Sequence, residues 1–323
     1  MLARLRDIAG PRGVMSFRDF TKTALYEPHI GYYTQTRVPR TGRNPQSDFY
    51  TASNLSSDIF GRLVRSAAIA LLAPDEPSVH SLVEIGAEPD GGIFSGIATP
   101  FIGIETRHLG DSLAPPSRSV IFANELLDAQ PFHRFVRRAN GWIELGVRVN
   151  GPSLEEIELP EVSVEARSFI KTLPSDVAEG YLIDYSLDAE NLLRSIASGT
   201  WRGLLILADY GHDWATLIHD RPAGTARAYH RHTISSDLFA NPGAQDLTCH
   251  VCWDRLEAVL RDCGFHAIRV ETQEAFFVRH AERVLSDITM QNPAAFSTAR
   301  QTIMELLHPS HLGLKFQFLS ARR

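Results

Sequence analysis

Four short runs of apolar residues recur along the chain and alternate with helical or irregular segments. They are SLVEIG at 81–86, FIGIE at 101–105, SVIFANE at 119–125 and, much later, GLLILADYG at 203–211. Near-continuous runs of Val, Ile and Leu are typical of strands in a parallel sheet that is covered on both faces. The pattern therefore predicts an α/β fold built on a mostly parallel sheet.

The residues before the first of these strands have a different pattern. The stretch FRDFTKTALY predicts a helix, and DIFGRLVRSAAIALLA predicts a second helix after a connection rich in Gly, Tyr and Arg. No parallel-strand signal is present here, so residues 1–80 are expected to form a helical N-terminal arm.

A second kind of pattern interrupts the sheet strands. The stretch FHRFVRRANGWIELGVRVNG predicts a β-hairpin that turns at Asn140-Gly141, and the strand-like GYLIDYS follows it. We expect residues 131–186 to be an inserted β-rich subdomain on the side of the substrate. Its Arg137, Arg138 and Trp142 are candidates for contacts with a protein substrate.

After residue 187 the alternation of helices and strands resumes. A helix ended by Gly264 precedes the strand HAIRVETQ, and the chain ends on the strand KFQFLSA. Two late strands that pair antiparallel at the edge of a parallel sheet are typical of Rossmann-like methyltransferases and not of all-parallel dehydrogenases. Residues 81–130 and 187–323 are therefore expected to form a Rossmann-like core.

Charge and hydropathy exclude several kinds of partner. The 323 residues carry a net charge of −6 and have a pI near 6.1, which argues against nucleic acid as the main partner. No run approaches the roughly twenty apolar residues of a membrane span, and the N-terminus has no signal-peptide pattern. We expect a cytoplasmic protein with no membrane span.

The three cysteines are Cys249, Cys252 and Cys263, and the first two form a C-x-x-C motif. The stretch TCHVCW predicts one strand, in which positions three apart point to opposite faces. No second C-x-x-C pair is available to complete a tetrahedral zinc site. The pair His230 and His232 also lacks a neighbouring carboxylate or cysteine, so no metal is expected.

Two residues at predicted strand ends are candidates for nucleoside binding. Gly86 ends the first strand, and Glu105 ends the second about twenty residues later. A carboxylate at that position accepts hydrogen bonds from ribose hydroxyls in nucleotide-binding folds. The alternative is a turn glycine and a solvated glutamate with no ligand.

The end of the SVIFANE strand carries more polar residues than a buried strand requires. Asn124, Glu125 and Asp128 follow one another where open α/β sheets bind ligands. Such residues must be hydrogen-bonded or face a cleft. Asp209 and Tyr210 end a strand at the same edge, although Asp209 alone is also explained as a helix cap.

An ordered set of blocks carries a family resemblance. The chain resembles the MidA-like family of S-adenosylmethionine-dependent methyltransferases, which includes a mitochondrial assembly factor of respiratory complex I that methylates an arginine of a core subunit. The resemblance covers most of the chain through these blocks: SFRDFTKTALYEPHIGYYT, DFYTAS, VEIGA, ANELLDAQP, LADYGH, AGTARAYHRH, NPGAQDLTCHV, TQEAFF and HLGLKFQFL.

The resemblance implies a cofactor, a substrate class and a site. It implies that S-adenosylmethionine is the cofactor and that a protein arginine, on a respiratory-complex subunit, is the methyl acceptor. The reaction centre would contain Glu125 and Asp128, whose carboxylates grip two nitrogens of the guanidinium and leave the third to accept the methyl group. The implied cofactor-binding residues are Glu84, Gly86, Glu105, Asn124, Asp48, Phe49 and Thr51.

The chain departs from the family in two places. The family loop runs Glu-Ile-Gly-x-Gly-x-Gly, but here Glu88 and Asp90 replace the later glycines, and Gly91 and Gly92 remain for a shifted turn. The segment between Glu105 and Val120 is also too short for the usual helix, strand and helix, so one strand–helix unit is expected to be missing. Two alternatives stay open: a degenerate relative acting as a binding or assembly factor, and a nicotinamide-dependent oxidoreductase.

Overall fold

The computed structural model describes residues 1–35, 57–87, 91–290 and 298–323, and their helices fall mainly near the two ends of the chain. Within these ranges no helix has both the length and the apolar character needed to cross a membrane. The α-helices are α1 (Leu2–Ala9), α2 (Phe17–Tyr26), α3 (Ser57–Leu72), α4 (Leu187–Ala197), α5 (Trp214–His219), α6 (Trp253–Asp262), α7 (Gln273–His280), α8 (Glu282–Met290) and α9 (Thr298–Leu307).

The strands, apart from the short β1 near the N-terminus, occupy the centre of the chain and its C-terminal part. They are β1 (Val14–Ser16), β2 (Ser81–Ile85), β3 (Gly103–Arg107), β4 (Arg118–Asn124), β5 (His133–Arg138), β6 (Gly141–Asn150), β7 (Ser153–Glu158), β8 (Leu182–Tyr185), β9 (Arg202–His212), β10 (Arg227–His230), β11 (Thr233–Ser235), β12 (Asp246–Thr248), β13 (Val251–Cys252), β14 (His266–Thr272) and β15 (Phe316–Arg322).

The chain forms two compact units, each of which has its own core. The first unit comprises Met1–Phe49, Leu127–Leu192 and His212–Arg255. The second unit comprises Tyr50–Leu126, Leu193–Gly211 and Leu256–Arg323. The functional division predicted above, into an arm (1–80), a core (81–130 and 187–323) and an insertion (131–186), stays a prediction.

The second unit contains the predicted sheet. Its strands lie in the order β14-β15-β9-β4-β2-β3. Strands β3, β2, β4 and β9 run parallel, and β15 pairs antiparallel with both β9 and β14. Leu82 and Val83, which point to opposite faces of β2, are 0% and 1% exposed, as expected for a strand covered on both faces. The mostly parallel Rossmann-like sheet with an antiparallel last strand is confirmed.

The sheet ends at β3, where the sequence predicted a missing unit. Residues 108–117 connect β3 to β4 and are all described, and they contain neither a helix nor a strand. The described residues between β2 and β3 form turns and irregular structure only. Residues 108–117 thus join the parallel strands β3 and β4 without the usual crossover helix.

The first unit is built on two antiparallel sheets. One has the order β1-β6-β5-β8, with β7 also paired to β6, and the other has the order β11-β10-β12. Phe17, Phe20 and Phe132 are fully buried in the core of this unit. Helix α2 begins where the Ser16 hydroxyl accepts a hydrogen bond from the Asp19 amide at 3.0 Å, which satisfies one of the free donors of the first turn.

Two local predictions need correction. Arg138 pairs with Gly141 across the hairpin, so the turn residues are Ala139 and Asn140, not Asn140 and Gly141. The stretch TCHVCW is not one strand, because β12 ends at Thr248 and β13 begins at Val251. The interruption allows the Cys249 amide to donate to the carbonyl oxygen of Asp128 at 3.0 Å. Cys249 and Cys252 are free thiols.

Candidate active site

The carboxyl end of β2 carries a buried carboxylate. Glu84 is only 6% exposed, and the backbone amides of Ile93 and Phe94 donate hydrogen bonds to it. Burial raises the pKa of Glu84 to about 7, although those two amides and nearby His108 lower it in part. A carboxyl group of this kind changes its charge near neutral pH.

Glu84 also determines which residue can stand at position 92. Its Oε2 atom is buried and has no hydrogen-bond partner. A Cβ atom on Gly92 would overlap that oxygen and lie 2.9 Å from the Glu84 Cδ atom and 3.3 Å from the Thr106 hydroxyl. A larger residue at position 92 would therefore require the buried Glu84 side chain to move. Glu88, Pro89 and Asp90 lie outside the described residues.

Gly86 makes the turn that follows β2, as predicted. Its φ of 84° lies in the left-handed region that favours glycine. A Cβ atom there would come within 2.8 Å of Leu126 Cδ1, and the Gly86 amide donates to the Arg107 carbonyl oxygen at 2.9 Å. Position 86 thus favours glycine because of its φ, and a larger residue would also have to displace the Leu126 side chain.

Glu105 was predicted to be the last residue of its strand, but it lies two residues before the end of β3. Strand β3 continues to Arg107, and the Glu105 carboxylate accepts a hydrogen bond from the Arg107 guanidinium. About a third of the Glu105 side chain is exposed, which leaves it accessible to a ligand. The statement that Glu105 ends the strand is wrong, because pairing with β2 continues as far as Ile85 opposite Arg107.

His108 lies beside the candidate site, and the sequence reasoning did not single it out. It directly follows β3, and its Nδ1 atom lies 3.1 Å from the Ala87 carbonyl oxygen, beside the Gly86 turn. Its amide donates to Asp111 Oδ2 at 2.7 Å. Its place directly after β3 was the available signal, but the strand was predicted to end at Glu105, two residues before its actual end at Arg107.

The carboxyl end of β4 holds the most unusual backbone of the site. Glu125 has a φ of 48°, a left-handed conformation that is uncommon for a residue with a side chain. Its amide donates to the Ala208 carbonyl oxygen at 2.9 Å. The Asn124 side-chain amide donates to Glu125 Oε1 at 2.9 Å, and Asn124 Oδ1 is buried without a partner.

Asp128, three residues further along, belongs to the first unit. It is 4% exposed. Near it, the Tyr26 hydroxyl donates to the Ala129 carbonyl oxygen at 3.0 Å. The Asp128 carboxylate contributes to raising the pKa of Tyr26, after burial and Asp246. Asp128 is thus a buried carboxylate close to tyrosine hydroxyls.

Asp209 is not a helix cap. It is 1% exposed, and its Oδ1 atom accepts a hydrogen bond from the Tyr210 amide at 2.8 Å. The helix that follows, α5, is capped instead by Asp213, whose Oδ1 atom accepts from the Thr216 amide at 2.7 Å. The simpler explanation offered for Asp209 is therefore wrong.

The remaining candidates are the proposed substrate contacts of the hairpin and three cofactor-binding residues of the arm. Arg138 pairs with Glu158, and the Trp142 indole donates to the Pro174 carbonyl oxygen at 2.6 Å, so both side chains are engaged within the first unit. Asp48, Phe49 and Thr51 lie outside the described residues. Among those that are described, no group of three or more His, Cys, Asp or Glu side chains is arranged to hold a metal ion.

Comparison with protein families decides the assignment. Residues 102–270, a little over half of the chain, match the family described as "Putative S-adenosyl-L-methionine-dependent methyltransferase". The chain belongs to this family. The resemblance found in the sequence is confirmed, and S-adenosylmethionine is the cofactor that the family uses.

Two named proteins are similar to this chain in sequence. The chain is 23% identical over 301 residues to a Caenorhabditis elegans protein named protein arginine methyltransferase NDUFAF7 homolog, mitochondrial, covering 77% of this chain and 69% of that protein. It is 23% identical over 366 residues to the Danio rerio protein arginine methyltransferase NDUFAF7, mitochondrial, covering 95% and 83% respectively. These mitochondrial relatives contradict the expectation of a cytoplasmic protein.

Two solved structures from Burkholderia thailandensis share the fold. One is a "likely methyl transferase" bound to S-adenosyl-homocysteine, with a TM-score of 0.85, 24% identity and coverage of 100% of this chain and 91% of that chain. The other, a native structure, has a TM-score of 0.82, 23% identity and the same coverage. Both confirm the predicted Rossmann-like fold.

The described residues of the second unit fit the chemistry of the cofactor. S-adenosylmethionine offers an ammonium group, a sulfonium group and ribose hydroxyls, all of which favour negatively charged or accepting partners. Glu84 Oε2 and Asn124 Oδ1 are buried acceptors without a hydrogen-bond partner, and Glu105 is an accessible carboxylate. An acceptor-rich edge of this kind suits the cationic and hydroxyl parts of the cofactor.

Proposed function

We propose that this protein transfers a methyl group from S-adenosylmethionine to a guanidinium nitrogen of an arginine in a protein substrate. The named relatives support arginine as the acceptor, since both are called protein arginine methyltransferases. The family resemblance adds a respiratory-complex subunit as the substrate to test first.

One observation carries the proposal, namely the conformation of Glu125. A left-handed backbone at a glutamate costs about 1–3 kcal/mol and persists where the surroundings fix it, often at functional sites. The surroundings here are two hydrogen bonds: the Glu125 amide donates to the Ala208 carbonyl oxygen, and the Asn124 side-chain amide donates to Glu125 Oε1. Both hold a carboxylate at the carboxyl end of β4, where open α/β sheets bind their ligands.

The cofactor-binding roles are assigned to the second unit. We propose that Glu105 accepts hydrogen bonds from the ribose hydroxyls and that Gly86 lets the backbone approach the cofactor closely. Asn124 Oδ1 is an acceptor for a donor group of the cofactor. Glu84 shapes the loop through its bonds from the Ile93 and Phe94 amides and adds negative charge when ionised.

The bound cofactor supplies a methyl group that its positive sulfur makes electrophilic. Glu125 binds and orients the acceptor, because its carboxylate can accept two guanidinium N–H bonds. Its charge draws the positive charge toward two nitrogens and leaves electron density on the third. The role in the reaction that the resemblance implies for Asp128, a residue of the first unit, stays a prediction. A nitrogen–carbon bond forms as the sulfur–carbon bond breaks, and the nitrogen then loses a proton to Glu125 or to water.

The test is the conservative variant Glu125→Gln. The amide keeps the shape and one acceptor but removes the charge, so turnover should fall by about a hundredfold or more while affinity for S-adenosylhomocysteine stays within about twofold. Turnover is measured as radiolabelled methyl on proteins of a cell lysate, identified as methylarginine after hydrolysis. Glu282→Gln, which removes an exposed carboxylate from α8, is the matched control.

The outcomes separate the alternatives. Methylarginine formed equally by wild type and Glu125→Gln refutes the role of Glu125. Label on another amino acid refutes the acceptor class. If the wild type binds S-adenosylhomocysteine but labels no protein, the degenerate binding-factor alternative is favoured. The observation that supports it is the short connection of residues 108–117, which contains neither a helix nor a strand.

A further inference from the structure

Strand β3 is one edge of the sheet in the second unit. Among the residues that the structure describes, it pairs only with β2, along its full length. The Gly86 amide donates to the Arg107 carbonyl oxygen, so the backbone groups of Arg107 point toward β2. These groups alternate in direction along a strand, so those of Ile104 and Thr106 point away from β2. An edge of this kind is a template for pairing with another strand.

The opposite edge of the same sheet, β14, is protected in a way that β3 is not. The pairing of β14 with β15 shifts register between His266 and Arg269, and Ala267 has a φ of 50°. A bulge of this kind twists an edge strand and hinders the addition of a further strand. Strand β3 pairs through consecutive residues without a shift. Of the two edges, β3 is therefore the one suited to pairing.

Apolar side chains are exposed at both ends of β3. Ile102, directly before the strand, is 71% exposed, and Leu109, two residues after it, is 60% exposed. Ile104 within the strand is also exposed. So is Val79, whose neighbour His80 accepts a hydrogen bond from the Ile102 amide. Grouped apolar residues on a surface mark an interaction site, and we call residues 102–109 the β3 edge.

The charges of β3 determine which register suits a second copy of the chain. In an antiparallel pair, residues whose backbone groups point across the interface face each other, so a two-fold arrangement sets one residue opposite its own copy. A centre at Glu105 opposes two carboxylates, which is unfavourable, and a centre at Ile104 sets Glu105 opposite Gly103. A centre at Thr106 sets Glu105 opposite Arg107 of the second copy, twice, while the two Thr106 residues exchange backbone hydrogen bonds.

We propose that the β3 edge pairs antiparallel with the β3 edge of a second copy of this chain. Glu105 and Arg107, which contact each other within the chain, then form a group of four charges of alternating sign with the same residues of the second copy. A carboxylate offers about four acceptor positions, so Glu105 can accept from a ribose as well. The antiparallel direction brings Ile102 of one chain beside Leu109 of the other. The self-complementary charges, more than the apolar surface, select a second copy as the partner.

Sedimentation velocity of the full chain tests this pairing. Wild type should sediment at about 10 μM with twice the chain mass of 35.9 kDa. Arg107→Glu sets carboxylates opposite Glu105, and Glu105→Arg sets guanidinium groups opposite Arg107, so each variant should raise the dissociation constant of the dimer about tenfold or more. An equimolar mixture of the two variants restores opposite charges in each pair, so it should form a heterodimer of the same mass.

Two further variants locate the interface. Arg269→Glu reverses an exposed arginine on β14, the other edge strand, and should leave the dimer unchanged as the matched control. Thr106→Pro removes an N–H that points away from β2 and keeps the backbone groups that face β2, so it should weaken the dimer about tenfold or more. Far-UV circular dichroism and urea unfolding report that each variant is folded.

Two results would overturn the inference. If wild type has the mass of one chain up to about 100 μM, a second copy is not the partner of this edge. If wild type is a dimer but neither Arg107→Glu nor Thr106→Pro dissociates more readily than Arg269→Glu, or if the mixture of charge variants stays monomeric, the copies meet elsewhere. The methylarginine assay is independent of these results, so a dimer with this charge dependence stands even where no protein is methylated.

Discussion

Glu84 should make the stability of this protein depend on pH in an unusual direction. Its pKa is raised from 4.5 to about 7 because burial disfavours the charged form. Between those two values the folded state binds more protons than the unfolded state, so stability falls as pH rises through this window. Each pKa unit corresponds to about 1.4 kcal/mol, so the full cost of ionised Glu84 is about 3 kcal/mol above pH 7.

The variant Glu84→Gln removes this cost without changing the size of the side chain. The Gln carbonyl can accept from the Ile93 and Phe94 amides, and its NH₂ group takes the place of Oε2, which has no hydrogen-bond partner. The difference in unfolding free energy between the variant and wild type should therefore increase by about 2–3 kcal/mol, in favour of the variant, as the pH rises from 5 to 8.

Urea unfolding at several pH values measures this difference. Groups that titrate in both proteins cancel when wild type is subtracted, and Glu282→Gln reports the general effect of removing one carboxylate. A difference between Glu84→Gln and wild type that stays constant from pH 5 to pH 8 would show that Glu84 is ionised at little cost. The account of a buried, partly unsatisfied carboxylate would then be wrong.

Two further variants test the loop and the edge of the sheet. Gly92→Ala forces a Cβ atom against the Glu84 carboxylate and should lower the unfolding free energy by about 2 kcal/mol. This loss should be smaller when Glu84 is also changed to Ala. If the losses of the two single variants simply add in the double variant, the contact between the two residues is contradicted. Glu105→Ala should weaken S-adenosylhomocysteine binding by about 2 kcal/mol, measured by calorimetric titration. Its pairing with Arg107 is partly exposed, so thermal stability should hardly change, and unchanged binding would remove Glu105 from the ribose site.

The sequence predicted the sheet because its strands are continuously apolar, and it failed where pairing continues through polar residues. Thr106 and Arg107 give no apolar signal, yet they pair with Glu84 and Ile85 and extend β3 past Glu105. The Asn140-Gly141 dipeptide is a strong turn signal, but the pairing of Arg138 with Gly141 moves the turn by one residue. Both errors concern element ends, where local pattern competes with neighbouring strands.

The candidate site was predictable only where its residues follow an apolar strand directly. Asn124 and Glu125 were found in this way. The hydrogen bond between Tyr33 and Asp246 could not be predicted, because 213 positions separate the two residues in the sequence. No periodicity relates two residues so far apart, and each is an ordinary polar residue in its own segment. Only the folded chain brings such a pair within hydrogen-bonding distance.

The loop after β2 still favours glycine at one position, although the family's later glycines are replaced. The family's later glycines are replaced by Glu88 and Asp90, which suggests at first that the close approach of the backbone has been given up. In the described part of the loop, a Cβ atom on Gly92 would meet the buried carboxylate of Glu84, so a larger residue there requires that carboxylate to move. The demand for glycine therefore comes from the packing of Glu84 within the protein, and it would persist whether or not a ligand is bound. This is why the variants Gly92→Ala and Glu84→Ala, alone and combined, test the loop more directly than substitutions of Glu88 and Asp90 would.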